Sequence, residues 1–208
     1  MKQQATKQRI LEKALELFAA RGYESVRMGD IAAAVGIKAP SLYNHFPGKE
    51  AIFRALVEEV GAQYERDTDR IQIHVQNAGQ DAPLFETITE DGLVEKVEQM
   101  FSYSLHCEPV SRLRRMMTQE QFRSPALAAL YTERYVDRLV AYHAAIFRAL
   151  IEAGELKNES PDALARLYTA PLLTFVSVCD RQPEKEALCR AQLEEHVRLF
   201  YRTFHLSH

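Results

Sequence analysis

The chain is poor in cysteine, with three in 208 residues and no two of them in a CxxC arrangement. An odd number of scattered thiols argues against a disulfide framework, and their spacing is unlike that of a structural zinc site. Thiols stay reduced in reducing compartments. We therefore expect a cytoplasmic protein in which Cys107, Cys179 and Cys189 are free thiols.

Long apolar runs are also absent. No uninterrupted stretch of about 18 apolar residues occurs, so we expect neither a membrane span nor a membrane partner. The first nine residues, MKQQATKQR, lead into an amphipathic segment, which is unlike a signal peptide. A hydrophobic content of 47% is ordinary for a soluble globular protein.

Catalytic motifs are missing as well. The seven histidines form no HExxH motif and show no metal-ligand spacing, and His205 and His208 stand at the end of the sequence. The chain has no nucleophile elbow and no glycine-rich phosphate loop. We therefore predict no catalytic residue, no cofactor and no metal site.

Strand patterns are lacking, because no segment alternates convincingly between polar and apolar residues. Helical periodicity predicts an all-α chain of about nine helices, with a three-helix module at residues 1–49 and a larger helical domain at 50–208. The segment 75–91 contains Gly79 and Pro83 and is predicted to be a loop. Outside the first 49 residues, the predicted helices are about 49–74, 92–107, 110–122, 125–153, 161–181 and 184–205.

The stretch from Arg27 to Phe46, RMGDIAAAVGIKAPSLYNHF, carries the strongest pattern. Apolar residues at helical spacing give its first half one buried face, and Gly36 suits the positive φ of a sharp turn. Pro40 fits the first turn of a second helix, in which Leu42 and Phe46 share an inward face. Two helices across a glycine turn, the second with exposed polar side chains, predict a DNA-binding helix-turn-helix.

Charge is distributed unevenly along the chain. Residues 1–49 carry 8 Lys+Arg against 4 Asp+Glu, whereas residues 50–208 carry 18 against 25. A basic N-terminal module (residues 1–49, called the head below) on an acidic larger domain is expected if only the N-terminal module contacts phosphates.

The run from Ile10 to Phe53, ILEKALELFAARGYESVRMGDIAAAVGIKAPSLYNHFPGKEAIF, resembles the N-terminal DNA-binding domain of TetR-family transcriptional regulators. The matching elements are LFAARGY at the end of helix one, the DIAAAVG helix and turn, the SLYNHF recognition helix and the Pro-Gly-Lys-Glu opening of helix four. They cover about a fifth of the chain. The resemblance implies that helix three enters the major groove of operator DNA.

The resemblance places the DNA contacts at seven positions: Arg27, Lys38, Ser41, Tyr43, Asn44, His45 and Lys49. Tyr43 and Lys49 stand where the family contacts phosphates, and Asn44 and His45 are expected to reach bases. The residues alone leave other roles open, with Tyr43 in the core and His45 or Lys49 merely solvated.

Two positions depart from the family's pattern. Arg27 replaces a Thr or Ser that usually caps helix two, so we expect Ser25 or water to take over the cap. Ala39 stands where a longer polar side chain is common, which removes one base contact.

The larger domain is rich in Met, aromatic and His side chains, and the family's response to ligands implies an effector pocket among them. The predicted lining residues are Met100, Phe101, Tyr103, His106, Met117, Phe122, Tyr135, His143, Phe147, Tyr168, Phe175 and Cys179. The expected effector is a small molecule, apolar or aromatic. Packing of the same side chains in the core is the open alternative.

The last two helices carry more apolar surface than one buried stripe needs, and the resemblance implies that they pair two copies of the chain. The alternative is that this surface faces the chain's own core. We therefore predict a ligand-responsive homodimeric repressor that binds a palindromic operator through helix three and is released by an effector. An activator of the same family is the alternative, and an all-α enzyme is a remote one.

Overall fold

A computed structural model of the chain describes residues 2–206, and His208 of the predicted terminal histidine pair lies outside them. The described chain is all-α, as predicted, and one isolated bridge between Leu156 and His205 is its only extended pairing. Its α-helices are Lys2–Arg21 (α1), Met28–Val35 (α2), Ala39–Tyr43 (α3), Lys49–Asp69 (α4), Ala78–Glu86 (α5), Glu90–His106 (α6), Glu108–Glu120 (α7), Pro125–Thr132 (α8), Arg138–Glu152 (α9), Pro161–Arg181 (α10) and Glu186–Phe204 (α11).

A π-helical segment, Glu133–Asp137, lies between α8 and α9 without an intervening loop. When the three are counted as one helix, the described chain has ten helices. A single 3-10 turn, Pro183–Lys185, precedes α11. None of the helices within residues 2–206 combines the length and the apolar content needed to cross a bilayer.

The helix beyond the nine predicted is α5, which lies where the sequence predicted a loop at 75–91. That prediction was wrong. Its anchor is Asp81, a buried carboxylate that accepts hydrogen bonds from the His74 backbone N–H at 2.7 Å and from the Tyr142 hydroxyl at 2.5 Å. These contacts hold α5 to the chain before it and to α9, and they offset the backbone bond that Pro83 removes. Local sequence pattern contains no sign of such distant partners.

Helix α4 also ends earlier than predicted, at Asp69 rather than near residue 74. Its last turn is closed by the Thr68 carbonyl, which accepts hydrogen bonds from the N–H groups of Ile71 and Ile73. Gln72 lies between them at φ 59°, a left-handed conformation that no continuing helix can contain.

The helices pack into two compact units. The first extends to Tyr64 and includes Glu108–Tyr131, so it contains α1, α2, α3, the first part of α4 and all of α7. The second contains Glu65–Cys107 and the chain from Thr132 onward. This division follows packing, and it differs from the predicted functional boundary after residue 49 because α7 packs with the N-terminal helices.

The core of the first unit is built around an aromatic group at the end of α1. The Tyr23 ring lies 5.1 Å from that of Phe18 and 5.2 Å from that of Phe53, centroid to centroid. Leu113 and Met117 of α7 are fully buried in the same unit. Burial of each such side chain stabilises the fold by about 1.5–3 kcal/mol.

The core of the second unit joins α9, α10 and α11. The Phe147 ring lies 5.6 Å from Tyr168 and 5.3 Å from Phe200, and all three side chains are buried. On its surface, Arg198 and Arg202 of α11 both pair with Glu90 at the start of α6.

Candidate nucleic-acid interface

Helix α2 begins at Arg27, whose extended backbone (φ −104°, ψ 158°) places it at the N-cap. The Arg27 N–H donates to Asp30 Oδ2 at 2.8 Å, and that carboxylate also lies 3.5 Å from the Arg21 guanidinium. Asp30 thus bonds to the backbone of the N-cap residue from inside the helix, and the Arg27 side chain makes no capping bond. An acidic residue three positions after the N-cap was the available signal. Capping of the first N–H groups by Ser25 or water stays a prediction.

The turn between α2 and α3 depends on Gly36. Its φ of 77° lies in the left-handed region that a glycine adopts without steric cost. The Ile37 N–H then bonds back to the Ala32 carbonyl at 3.0 Å, and the Gly36 N–H bonds to the Ala33 carbonyl at 3.1 Å. Both are bonds of a Schellman-type end, which satisfies the last carbonyls of α2 and reverses the chain toward α3.

Helix α3 is short but is extended by further turns. The Lys38 carbonyl starts it by accepting from the Leu42 N–H, and the Phe46 N–H bonds to the Leu42 carbonyl at 3.0 Å. Leu42 and Phe46 are buried, as the sequence predicted. On the other side, Tyr43 is 53% exposed, so it is a surface aromatic and not a core residue.

The remaining predicted contacts of α3 vary in exposure. Lys38 and Asn44 are exposed, whereas Ser41 and His45 are half-buried. Arg27 is exposed at the start of α2. Among residues 2–206, no acidic side chain pairs with the Lys38 ammonium or the Arg27 guanidinium, so both charges are available to an external anion.

Helix α1 contacts both the end of α2 and Phe46, which follows α3. Arg9 donates to the Val35 carbonyl at 2.8 Å, which fixes the end of α2 against α1. The Lys7 ammonium lies 5.7 Å from the centroid of the Phe46 ring, at the end of the recognition helix.

Lys49 has a role that the sequence analysis missed. Its ammonium donates to the Tyr23 carbonyl at 2.7 Å and to the Glu24 carbonyl at 3.3 Å, and it lies 4.3 Å from the centroid of the Tyr23 ring. The start of α4 is thereby tied to the turn that follows α1. Two of the three N–H donors are thus engaged, and the Glu24 carboxylate also lies 3.8 Å from the ammonium. The phosphate contact of Lys49 stays a prediction.

The predicted effector residues fall into separate groups. His143, Phe147 and Tyr168 lie together, with the His143 ring 5.0 Å from Tyr168 and 6.0 Å from Phe147. His143 Nδ1–H donates to the Leu139 carbonyl at 2.8 Å. Burial lowers the pKa of His143 to about 4, so the ring is neutral near pH 7 and its Nε2 is an acceptor. Burial also raises the pKa of the Tyr168 hydroxyl.

The α6 residues point in several directions. Phe101 is buried beneath Arg190, and Met100 packs against the same core while half-buried. The Tyr103 hydroxyl donates to Asp67 at 2.8 Å, and its pKa is raised by burial and by hydrogen bonds to Cys107 and Asp67. His106 is exposed, and its Nε2 lies 2.9 Å from Glu186 Oε1, so it is a surface hydrogen-bond partner of that residue.

Other members of the predicted set differ in burial. Phe175 packs half-buried against the core of the second unit, and Tyr135 is half-buried in the π-helical segment. Cys179 is buried, and burial together with a hydrogen bond to Cys189 raises the pKa of its thiol to about 12.

Two predicted lining residues belong to the first unit. Met117 is fully buried in its core. Phe122 follows the end of α7 and is 88% exposed, so it lines no interior cavity in this structure. The prediction for Phe122 was wrong because its position beyond the last turn of α7 removes it from the helix's buried face.

Comparison with known proteins agrees with this architecture. The family model for bacterial regulatory proteins of the tetR family matches residues 10–56. The model for the C-terminal domain of AefR-like transcriptional repressors matches residues 92–205. Both families consist of transcriptional regulators.

Among curated proteins, the HTH-type transcriptional repressor ComR of Escherichia coli (strain K12) is 46% identical over 48 residues, which is 23% of each chain. The chain thus spans less than a quarter of that relative's length.

Solved structures match over nearly the whole chain. A TetR-family transcriptional regulator from Mesorhizobium loti is 19% identical with a TM-score of 0.74, and the match covers 99% of this chain and 100% of the other. The complex of SmeT with triclosan is 18% identical with a TM-score of 0.75, and that match covers 98% and 93%. SmeT is the repressor of a multidrug efflux pump of Stenotrophomonas maltophilia. At these identities the likeness shows the fold.

The C-terminal family match covers more than half of the 208 residues, and the N-terminal match contains the helix-turn-helix described above. The chain belongs to the TetR family and is a DNA-binding regulator of transcription.

Proposed function

We propose that the protein is a homodimeric repressor that binds a palindromic operator through α3 and is released by a small apolar or aromatic effector. The observation that carries the proposal is the two-sided character of α3. Its buried Leu42 and Phe46 fix it to the head, while Tyr43 and Asn44 are presented outward. An anchored helix with an outward polar face suits reading of the major groove.

The contacts divide into two kinds. Asn44 and His45 are the proposed base-reading residues, since an Asn side chain can bond adenine through two hydrogen bonds. Arg27, Lys38, Ser41, Tyr43 and Lys49 are the proposed phosphate contacts, which position the helix without reading sequence.

Pairing of two chains through α10 and α11 is supported by apolar side chains that the single chain leaves uncovered. Leu167 of α10 is 53% exposed, and Leu188 and Leu199 of α11 are 55% and 64% exposed. One recognition helix reads too few base pairs for useful discrimination, which a two-fold pair overcomes.

The effector is proposed to bind in the second unit near His143, Phe147 and Tyr168. These rings supply an apolar surface, and the neutral His143 supplies a hydrogen-bond acceptor. SmeT, which shares the fold, was solved with triclosan, an observation that supports a small organic effector for this chain.

Release of DNA requires that the effector prefer one arrangement of the protein over another. Helix α4 is the proposed connection, because α6 holds its last turn and the chain just after it. Tyr103 donates to Asp67, and the Lys96 ammonium donates to the Ile71 carbonyl at 2.5 Å. A tenfold loss of DNA affinity needs only about 1.4 kcal/mol of coupling through such contacts.

Selection of bound duplexes from a random library tests the DNA-binding part of the proposal. We expect enrichment of a palindrome whose half-sites lie about 34–36 Å apart or a multiple of that distance. Enrichment of no sequence would contradict the proposal. A reporter gene placed behind the selected operator tests whether the protein represses or activates transcription. A repressor lowers expression of the reporter and an activator raises it.

A further inference from the structure

Helix α7 belongs to two parts of the protein at once. The match to the C-terminal domain of AefR-like repressors spans residues 92–205 and therefore includes α7. In the fold, however, α7 lies in the first unit and packs against α1. A segment of the C-terminal region is thus built into the DNA-binding head.

The contact between the ends of α7 and α1 involves Glu120 and Gly22. Glu120, the last residue of α7, is 1% exposed. A Cβ added to Gly22 would meet Glu120 Oε1 at 2.9 Å, which is closer than real Cβ contacts come. Gly22 also needs its φ of 79°, because this left-handed residue ends α1. The Glu120 carboxylate therefore occupies the space in which any other residue at position 22 would place its side chain.

The turn that Glu120 touches leads directly into the helix-turn-helix. Residues 22–26 connect α1 to Arg27, the N-cap of α2. The carbonyls of Tyr23 and Glu24 are held on the other side by the ammonium of Lys49 at the start of α4. The turn is consequently bonded to α4 through Lys49 and is contacted by the Glu120 side chain of α7.

Stability alone does not explain a carboxylate at this position. Glu120 Oε2 is buried and has no hydrogen-bond partner among the described residues, while Oε1 lies 3.6 Å from the Arg123 guanidinium, which is largely exposed. A buried polar atom without a partner lowers the stability of a fold. Proteins keep a buried polar atom without a hydrogen-bond partner mainly where the residue that carries it serves a function.

We propose that Glu120 is a positioning residue for operator binding: through its contact with Gly22 it helps to set the turn between α1 and α2, which leads into the helix-turn-helix. The inference rests on the proposed function, because it assigns to α7 a share in the control of DNA affinity.

The test is a double-mutant cycle on the full chain, with the operator selected by the wild-type protein and affinity measured by fluorescence anisotropy. Glu120→Ala removes the carboxylate, and Gly22→Ala displaces it with a methyl group. Because both variants disturb the same contact, we expect each to weaken operator binding by roughly tenfold, and the double variant also by roughly tenfold rather than a hundredfold. The conservative variant Glu120→Gln keeps the size of the side chain, so we expect an affinity within about threefold of the wild type.

Gly154→Ala is the matched control for backbone strain. Gly154 has φ 81°, and a Cβ added there meets nothing within 4 Å. This variant therefore carries the same left-handed strain without touching Glu120, and its operator affinity should stay within about threefold of the wild type. Hydrogen exchange of the amides at 23–26 should quicken in Glu120→Ala and Gly22→Ala but not in Gly154→Ala.

Wild-type affinity in Glu120→Ala, or losses that multiply in the double variant, would overturn the inference and leave the proposed function intact. If Glu120→Ala does not fold, a Gly22→Ala variant with wild-type affinity overturns it in the same way. Failure of the wild-type protein to select any operator would instead contradict the proposed function and, with it, the inference.

Discussion

The Lys49 ammonium donates a hydrogen bond of 2.7 Å to the Tyr23 carbonyl and lies over the ring of the same residue. One side chain thereby joins the first turn of α4 to the turn that follows α1. The resemblance to TetR-family regulators had suggested only a phosphate contact for this residue. The structure adds a contact within the head, and the two roles predict different measurements.

Lys49→Ala is expected to lower both stability and DNA affinity. Loss of charge-assisted bonds to two carbonyls and of the contact with Tyr23 should cost about 1–3 kcal/mol in the free energy of unfolding. Loss of a phosphate contact should reduce the slope of log affinity against log salt by about 1. Lys13→Ala is the control, because Lys13 only pairs with Glu16 at the surface and should change stability by less than about 0.5 kcal/mol. An unchanged salt slope in Lys49→Ala would leave Lys49 with the structural role alone.

Tyr43→Phe and Tyr43→Ala separate the hydroxyl from the ring. Tyr43 is more than half exposed on α3, so neither change should alter the free energy of unfolding by more than about 0.5 kcal/mol. If the hydroxyl contacts phosphate, Tyr43→Phe should weaken binding about equally on the operator and on random duplex. A loss confined to the operator would identify Tyr43 as a base-reading residue instead.

Asp81→Ala is expected to be strongly destabilising. The carboxylate accepts hydrogen bonds from the His74 backbone and from the Tyr142 hydroxyl, and it also contacts the His74 ring. Removing it takes this acceptor away from the Tyr142 hydroxyl and from the half-buried His74 N–H, at a cost of about 3–5 kcal/mol in urea unfolding. Asp91→Ala, at an exposed position paired with Arg198, should cost less than about 1 kcal/mol. Similar losses in the two variants would show that Asp81 does not anchor α5.

Acid should destabilise the fold partly through His143. Because burial lowers its pKa to about 4 in the folded state, the unfolded state binds more protons between pH 4 and pH 6.5. Stability contributed by the neutral ring is present above pH 6.5 and is lost as pH falls toward 4, by at most about 3 kcal/mol. His143→Gln should flatten this part of the stability–pH curve. An equally steep curve in the variant would exclude His143 as its source.

Leu199→Glu is expected to separate the proposed dimer without unfolding the chain. Leu199 is 64% exposed in the single chain, so a charge there costs little unless a second copy covers it. Light scattering should then give the mass of one chain, and operator affinity should fall by at least roughly a hundredfold as the paired heads are lost. Phe122→Glu is the control, since Phe122 is exposed but lies outside α10 and α11. The mass of this variant by light scattering should equal that of the wild-type protein. A wild-type mass in Leu199→Glu would move the pairing surface elsewhere.

The helix-turn-helix was predictable because its signals are local. Helical periodicity set the buried faces of α2 and α3, and Gly36 required no knowledge of distant residues. Leu42 and Phe46 are buried as expected, and Tyr43 is exposed as expected.

The errors have a common cause, since each depends on contacts between residues far apart in sequence or on side-chain direction at a helix end. Asp81 holds α5 through partners that include Tyr142, 61 positions away. The position of Phe122 depends on where α7 ends. The contact between Gly22 and Glu120 joins helices that the sequence analysis assigned to different domains.

Two heads of a paired protein are proposed to read two half-sites through α3. Sedimentation of the protein alone and with the selected duplex tests this proposal most directly, together with a duplex in which one half-site is scrambled. We expect two chains in free solution, two chains on the intact operator, and affinity lower by roughly a hundredfold or more on the scrambled duplex. A single chain on the operator, or equal affinity for both duplexes, would contradict the account.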